Sequence, residues 1–322
     1  MASSAQVKSL INSHAEGDDE RFYAVALQVA AKAARAGQSK YALELKELVD
    51  KAQSRTLAPV LNLPQKSTPG FELFEPKEPQ VRLAELSLSH SISEAIEQVL
   101  LEQRQRERLV AHGLEPSRKI LFTGPPGTGK TTTSEAMAAE LGLPFLRLKL
   151  ERLITRFMGE TATKLATAFD LIKDYRAVYL FDEVDALAGE RTASNDVGEM
   201  RRILNSFLQL LEDDNSASVI VAATNHPQLL DSAVFRRFDE IIPFTKPSVD
   251  EAVTLVRDLL TPFETSNIDW SCLSDLLPGL SQSDLTTAAH SAAKEAILHF
   301  DGQVSTTLLR NAIKSKRVYL DV

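Results

Sequence analysis

Apolar and polar positions follow two different rhythms along this chain. Between residues 18 and 54, Phe22, Val25, Ala26, Val29 and Ala33 recur at helical spacing, Gly37 interrupts them, and Tyr41, Leu43, Leu45, Leu48 and Val49 resume. This predicts two helices, the first opened by Asp18-Asp19, and so an N-terminal helical module over 1–55. Pro59, Pro64, Pro69, Pro76 and Pro79 follow closely on one another. They disfavour helix and central strand alike, so residues 56–81 are expected to form a linker. An amphipathic stretch from Ile92 to Val110 comes next.

From Lys119 the rhythm changes to short apolar runs separated by helical stretches. Strands are expected at Ile120-Leu121-Phe122, Pro144 to Leu150, Ala177 to Phe181, Ser218 to Ala223 and Ile241-Ile242-Pro243. Helices are expected at Thr131 to Leu141, Thr161 to Asp174 and Val197 to Leu211. Strands alternating with helices of this length imply an α/β domain, a parallel sheet covered on both faces, over 82–246. Beyond Pro247 only helices are expected, at Val249 to Leu260, Asp269 to Leu277, Ser281 to Phe300 and Val304 to Lys316. They form a helical domain over 247–322.

The 322 residues are 43% hydrophobic and 25% charged, an ordinary globular balance, with a formal net charge of -8. An acidic surface argues against non-specific nucleic-acid or anionic-membrane binding. No apolar run reaches the roughly 18 residues of a membrane helix, and Met1-Ala2-Ser3-Ser4 does not open a secretory signal. The single cysteine, Cys272, fits a reducing cytoplasm and reads as a small buried hydrophobe.

The chemistry begins at Gly124-Pro125-Pro126-Gly127-Thr128-Gly129-Lys130-Thr131, a complete G-x-x-x-x-G-K-[ST] pattern between an expected strand and helix. Such a loop turns its backbone N–H groups toward phosphates, and the helix N-terminus adds a favourable dipole. With Thr132 behind it, the loop is expected to bind ATP. Lys130 would reach the β- and γ-phosphates, and the Thr131 hydroxyl would ligate Mg²⁺. A second pattern, Val178-Tyr179-Leu180-Phe181-Asp182-Glu183, ends an apolar strand in two carboxylates. Asp182 is expected to hold Mg²⁺, largely through water, and Glu183 to polarise the attacking water. Asp185 is given no catalytic role.

Over residues 82 to 315 the sequence resembles the AAA branch of the AAA+ ATPases, whose wording the Gly-Pro-Pro-Gly-Thr-Gly-Lys-Thr loop and Asp182-Glu183 match. The resemblance implies a P-loop sheet with a helical lid, and ATP hydrolysed between the subunits of a ring, a hexamer by expectation. It makes Asn225, after Val221-Ala222-Ala223-Thr224, the polar sensor of the γ-phosphate or lytic water. It makes Arg236 and Arg237, within Leu230 to Asp239, the arginine fingers offered to the neighbouring subunit; which is the principal one stays open, because many members space the two with Pro-Gly. Phe157, Met158 and Gly159 match the loop that grips a protein substrate in the ring channel, and residues 188 to 197, with Arg191, a second such loop. Gly279 to Leu285 resembles the start of a lid helix near the nucleotide, with Gln282-Ser283 where many members carry Gly-Ala. The base would lie between Leu86 to Ile92 and the lid. Leu153 to Glu160 and the short helical N-terminus also resemble small bacterial members, some paired with a subtilisin-type serine protease in defence. The alternatives are a DNA-linked loader or transposition regulator, and a nucleotide-gated scaffold.

Overall fold

The computed structural model describes Val29 and residues 64–65, 67–153, 158–188 and 196–317, with the side chains of 158–159, 187–188 and 196–201 left aside. Apart from Val29, the helices expected over 18–54 therefore lie outside the described residues. The chain divides into two units, Met1–Asn62 and Leu63–Val322, and all the described residues except Val29 belong to the second.

In chain order, β1 (Phe74–Lys77) precedes helices α1 (His90–Arg104) and α2 (Arg106–Ala111), then β2 (Lys119–Thr123) and α3 (Lys130–Leu141). Next come β3 (Phe145–Leu148), a single turn α4 (Leu150–Leu153), α5 (Met158–Asp174), β4 (Val178–Phe181) and α6 (Asp196–Asp213). After β5 (Val219–Thr224), the short α7 (Ser232–Phe235) and β6 (Glu240–Pro243), the chain is helical: α8 (Val249–Leu260), α9 (Gln282–His299) and α10 (Thr306–Arg317).

The sheet order is β1-β3-β4-β5-β2-β6, parallel throughout except for β1, which runs antiparallel to β3. Strand alternation sorts side chains onto two faces. Leu121, Tyr179, Phe181, Ile220 and Ala222 pack with Phe169 and Phe207 of α5 and α6. Their neighbours Ile120, Phe122, Val178, Leu180 and Val221 pack with Ile96 and Met137 of α1 and α3. Both faces are therefore dry, which is why β4 and β5 read as unbroken apolar runs. Burying each such Leu, Ile or Phe contributes about 1.5–3 kcal/mol. The helical domain has its own core, in which small residues of α9 (Ala288, Ala289, Ala292, Ala296) let Val256 of α8 and Leu309 of α10 approach closely.

Three expectations change. The stretch 56–81, expected to be a linker, contains β1, and Phe71, Leu73 and Phe74 are buried in the main core. Pro76 is tolerated because β1 is the edge strand, where a missing N–H goes unnoticed. The helix expected at Asp269 to Leu277 is a 3-10 turn over Ser271–Leu276, cut short ahead of Pro278. Cys272 is exposed rather than buried, and its thiol donates to Asp269 Oδ2 at 2.9 Å. Hydrogen bonds from Cys272 and Ser271 hold the Asp269 carboxyl at about 2.

Candidate active site

Parallel strands β2, β4 and β5 end side by side, and the polar residues that follow them gather there. The loop from Gly124 to Gly129 leaves β2 and enters α3. Its first glycine has φ +136, and a Cβ there would lie 2.0 Å from the Phe244 carbonyl oxygen, so only glycine fits beneath β6. The Gly124 N–H donates to Thr224 O at 3.2 Å, tying the loop to β5. Inside the loop the Thr128 hydroxyl donates to Pro125 O (2.8 Å), and Lys130 Nζ donates to Gly124 O (2.7 Å) and Pro125 O (2.8 Å). The first helical bond of α3 runs from Thr133 N to Gly129 O. No side chain caps this end, so the N–H groups of the first turn face the loop. Lys130 is buried, and desolvation lowers its pKa against the opposing pull of Asp182 and Asp185.

At the end of β4 the Asp182 carboxylate is shared. Its Oδ2 accepts from the Thr131 hydroxyl at 2.8 Å and from Arg147 Nη2 at 2.9 Å, while Oδ1 accepts from the Glu183 N–H at 3.1 Å. The loop and the second motif are thus joined directly. Glu183 is exposed and has φ +56. A left-handed conformation costs an L-residue about 1–2 kcal/mol, and such strain clusters at functional sites. Asn225 follows β5, the neighbour of both β2 and β4, and so falls between the two motifs. Its N–H donates to Asp185 Oδ1 at 3.2 Å, which gives Asp185 a positioning role absent from the sequence reading.

Arg236 and Arg237 follow α7, whose start is capped by Asp231 accepting from Ala233 N. Arg237 Nε pairs with Glu212 Oε2 at 3.0 Å and its Nη1 donates to Ala233 O at 3.1 Å. Arg236 is exposed and, among the described residues, its side chain has no hydrogen bond or ion pair. Among the described residues, no polar contact links either arginine to the phosphate loop of its own chain. Phe157 and Arg191 lie outside the described residues; Met158 and Gly159 open the backbone of α5.

The helical domain reaches the loop through the start of α9. Ser281 caps that helix in a reciprocal box with Asp284, the Ser283 N–H donates to Gly127 O at 3.0 Å, and Lys246 Nζ donates to Gly279 O at 2.6 Å. Gly127 has φ +76, and a Cβ there would lie 2.5 Å from Ser281 Oγ. The domain thus rests on the phosphate loop itself. Arg147 also escaped the sequence reading, although it stands as a lone charge in the apolar strand Phe145-Leu146-Arg147-Leu148.

Residues 120–246 match the model of the ATPase family associated with various cellular activities (AAA). The AAA family ATPase y4kL of Sinorhizobium fredii is 33% identical over 98% of this chain and 96% of its own length. A proteasome-activating nucleotidase of Thermococcus gammatolerans is 32% identical over 76% of this chain, which spans 64% of that protein's length. An ATP-dependent zinc metalloprotease FtsH of Helicobacter felis is 27% identical over 76% of this chain and 40% of its own length. The crystal structure of the FIGL-1 AAA domain superposes with a TM-score of 0.61 at 22% identity, over 80% of this chain and 91% of that one.

Proposed function

From the premise that this chain belongs to the AAA family of ATPases and hydrolyses ATP, we propose that it is a ring-forming motor that unfolds, threads or remodels a protein substrate. The observation that carries the reading is the meeting of Thr131, Asp182 and Lys130 at one strand end with the helical lid seated on Gly127. A lid resting on the phosphate loop moves when the loop's contents change, and that links hydrolysis to motion.

The residues fit ATP with Mg²⁺. A Cβ at Gly129 would point into open space, the first turn of α3 offers N–H donors, and Lys130 supplies charge. The Thr131 hydroxyl and Asp182 carboxylate form a hard oxygen pair at 2.8 Å. Among the described residues no group of three or more His, Cys, Asp or Glu could hold a metal by itself. That suits Mg²⁺, which keeps waters and shares phosphate oxygens. When bound, the ion neutralises charge on the transferred phosphoryl group. Glu183 polarises the attacking water and Asn225 orients it. Arg236, whose side chain has no hydrogen bond or ion pair among the described residues, reaches across to the phosphates of a neighbouring protomer; Arg237 joins it on leaving Glu212. Phe157 and Met158 grip the substrate in the channel.

The kinship with a proteasome-activating nucleotidase and an ATP-dependent protease supports a protein substrate over nucleic acid. No described helix is long and apolar enough to cross a membrane, which agrees with cytoplasmic work. The finer reading has a hexamer serving a separate subtilisin-type serine protease in defence, and co-purification from the native source tests that link. The function itself is tested with Glu183→Gln and Phe157→Ala. Glu183→Gln binds ATP, fails to turn it over and traps the substrate protein in assembled rings. Phe157→Ala keeps ATPase activity and loses remodelling; intact remodelling would remove the channel role.

A further inference from the structure

A groove of about 740 Å³ runs along α1, between that helix, the 3-10 turn Leu83–Glu85 and the end of α3, and shares no residue with the site described above. From Ser93 to Arg104 its α1 wall covers about three turns, roughly 16 Å. The opposite wall is held in place. The Gln80 N–H donates to Glu135 Oε1 at 3.3 Å, and Lys77 Nζ pairs with the same buried carboxylate, which ties the segment entering the turn to α3. Leu83, Ala84 and Leu101 give the groove its apolar surface, and Leu101 is 48% exposed. Covering that leucine would contribute to seating a partner.

The charges of the groove do not balance. The Arg104 guanidinium is engaged by Glu140, its Nη2 lying 3.0 Å from Oε2 and 3.1 Å from the carbonyl oxygen. Arg82 and Glu85, at the two ends of the turn, offset one another. Among the described residues Glu94 has one ionic partner, the His90 ring at 3.3 Å, and Glu97 accepts from the Ser93 hydroxyl at 3.4 Å with no cation beside it. The C-terminal end of α3 adds partial negative charge next to Glu140. An apolar trough flanked by uncompensated carboxylates complements a helix that carries Lys or Arg beside an apolar face. We infer that this groove docks a cationic amphipathic helix of another protein, with Leu101 under its apolar face and Glu94 and Glu97 facing its basic residues.

The test uses the full chain and the fluorescence anisotropy of three labelled synthetic peptides. The first places leucines on one helical face with lysines beside them; the second has the same composition in scrambled order; the third carries glutamates in place of the lysines. The first peptide should bind about tenfold more tightly than the scrambled one, and the acidic one should bind most weakly. Leu101→Gln should weaken the first peptide by about tenfold, and Glu97→Lys by about fivefold or more. Both side chains are exposed, so both variants should keep the ATPase rate of the unaltered protein, which separates lost docking from lost folding. Equal binding of the patterned and scrambled peptides, or affinities that neither variant changes, would overturn the inference. Should Leu101→Gln instead dissociate the protein's own assembly in sedimentation, the groove holds a second copy of this chain and the inference also falls.

Discussion

Replacing Arg147 with Met should make the protein bind Mg²⁺-nucleotide at lower Mg²⁺. The guanidinium lies 2.9 Å from Asp182 Oδ2, the oxygen that also accepts from Thr131, so a cation approaching Asp182 must displace or compete with it. Two charges 4 Å apart attract by about 1 kcal/mol in water and about 4 kcal/mol at an effective dielectric of 20. The Arg147 side chain is 44% exposed and that of Asp182 12%, so screening and side-chain entropy pull the net value toward the lower figure. A net value of about 1–2 kcal/mol corresponds to roughly 5- to 30-fold. The assay follows ATP binding at a fixed, sub-saturating concentration while free Mg²⁺ is titrated. The Arg147→Met midpoint should fall by about fivefold or more, while the nucleotide-free protein loses no more than the same ~1–2 kcal/mol of stability, because the pair is half-exposed on the Arg147 side. An unchanged midpoint would mean that Arg147 does not compete for Asp182. A raised midpoint would mean that it holds Asp182 in place for the metal, and the reasoning would be refuted.

Other parts of the structure make independent predictions. Arg118 and Asp214 form a buried pair, so Asp214→Ala leaves a guanidinium stranded and should cost about 3–5 kcal/mol, read as a lower denaturant midpoint. In Gly127→Ala the new Cβ meets Ser281 Oγ at 2.5 Å in a left-handed backbone; nucleotide affinity should fall about tenfold or more as the lid is pushed away, and unchanged affinity would detach the lid from the site. Burial lowers the Lys130 pKa below its ordinary 10.5, so nucleotide affinity should decline on the alkaline side before a free lysine would deprotonate. Stability runs the other way: between the lowered value and 10.5 the unfolded chain holds more protons, so folding of the nucleotide-free protein gains as pH rises through that window, a gain that Lys130→Met should abolish.

Much of the fold and site was legible in the sequence because it is local. The loop from Gly124 to Thr131 is contiguous, and the apolar runs of β4 and β5 announce strands buried on both faces. What escaped depends on partners distant in the chain. Phe74 to Lys77 becomes a strand because β3 presents an open edge, and the prolines around it conceal that possibility. The short reach of Arg147 to Asp182 spans 35 positions, and that of Asp185 to Asn225 spans 40. Neither has a periodic signature. Cys272 misled because its residue type favours burial, whereas it sits on an exposed 3-10 turn whose apolar contribution to the core is Leu273. The two arginines read identically in sequence; Glu212 on α6 separates them by pairing with Arg237 alone.

We propose that one protomer's phosphate loop is completed by a neighbour's guanidinium. Mixing two inactive variants tests it most directly. Lys130→Ala cannot hold nucleotide but keeps Arg236, and Arg236→Ala holds nucleotide but lacks the finger. Co-assembled in equal amounts, they should regain ATPase activity at about one site in four, those where an intact loop faces an intact arginine. A mixture no more active than its parents, or an Arg236→Ala protein that hydrolyses ATP at full rate alone, would contradict it.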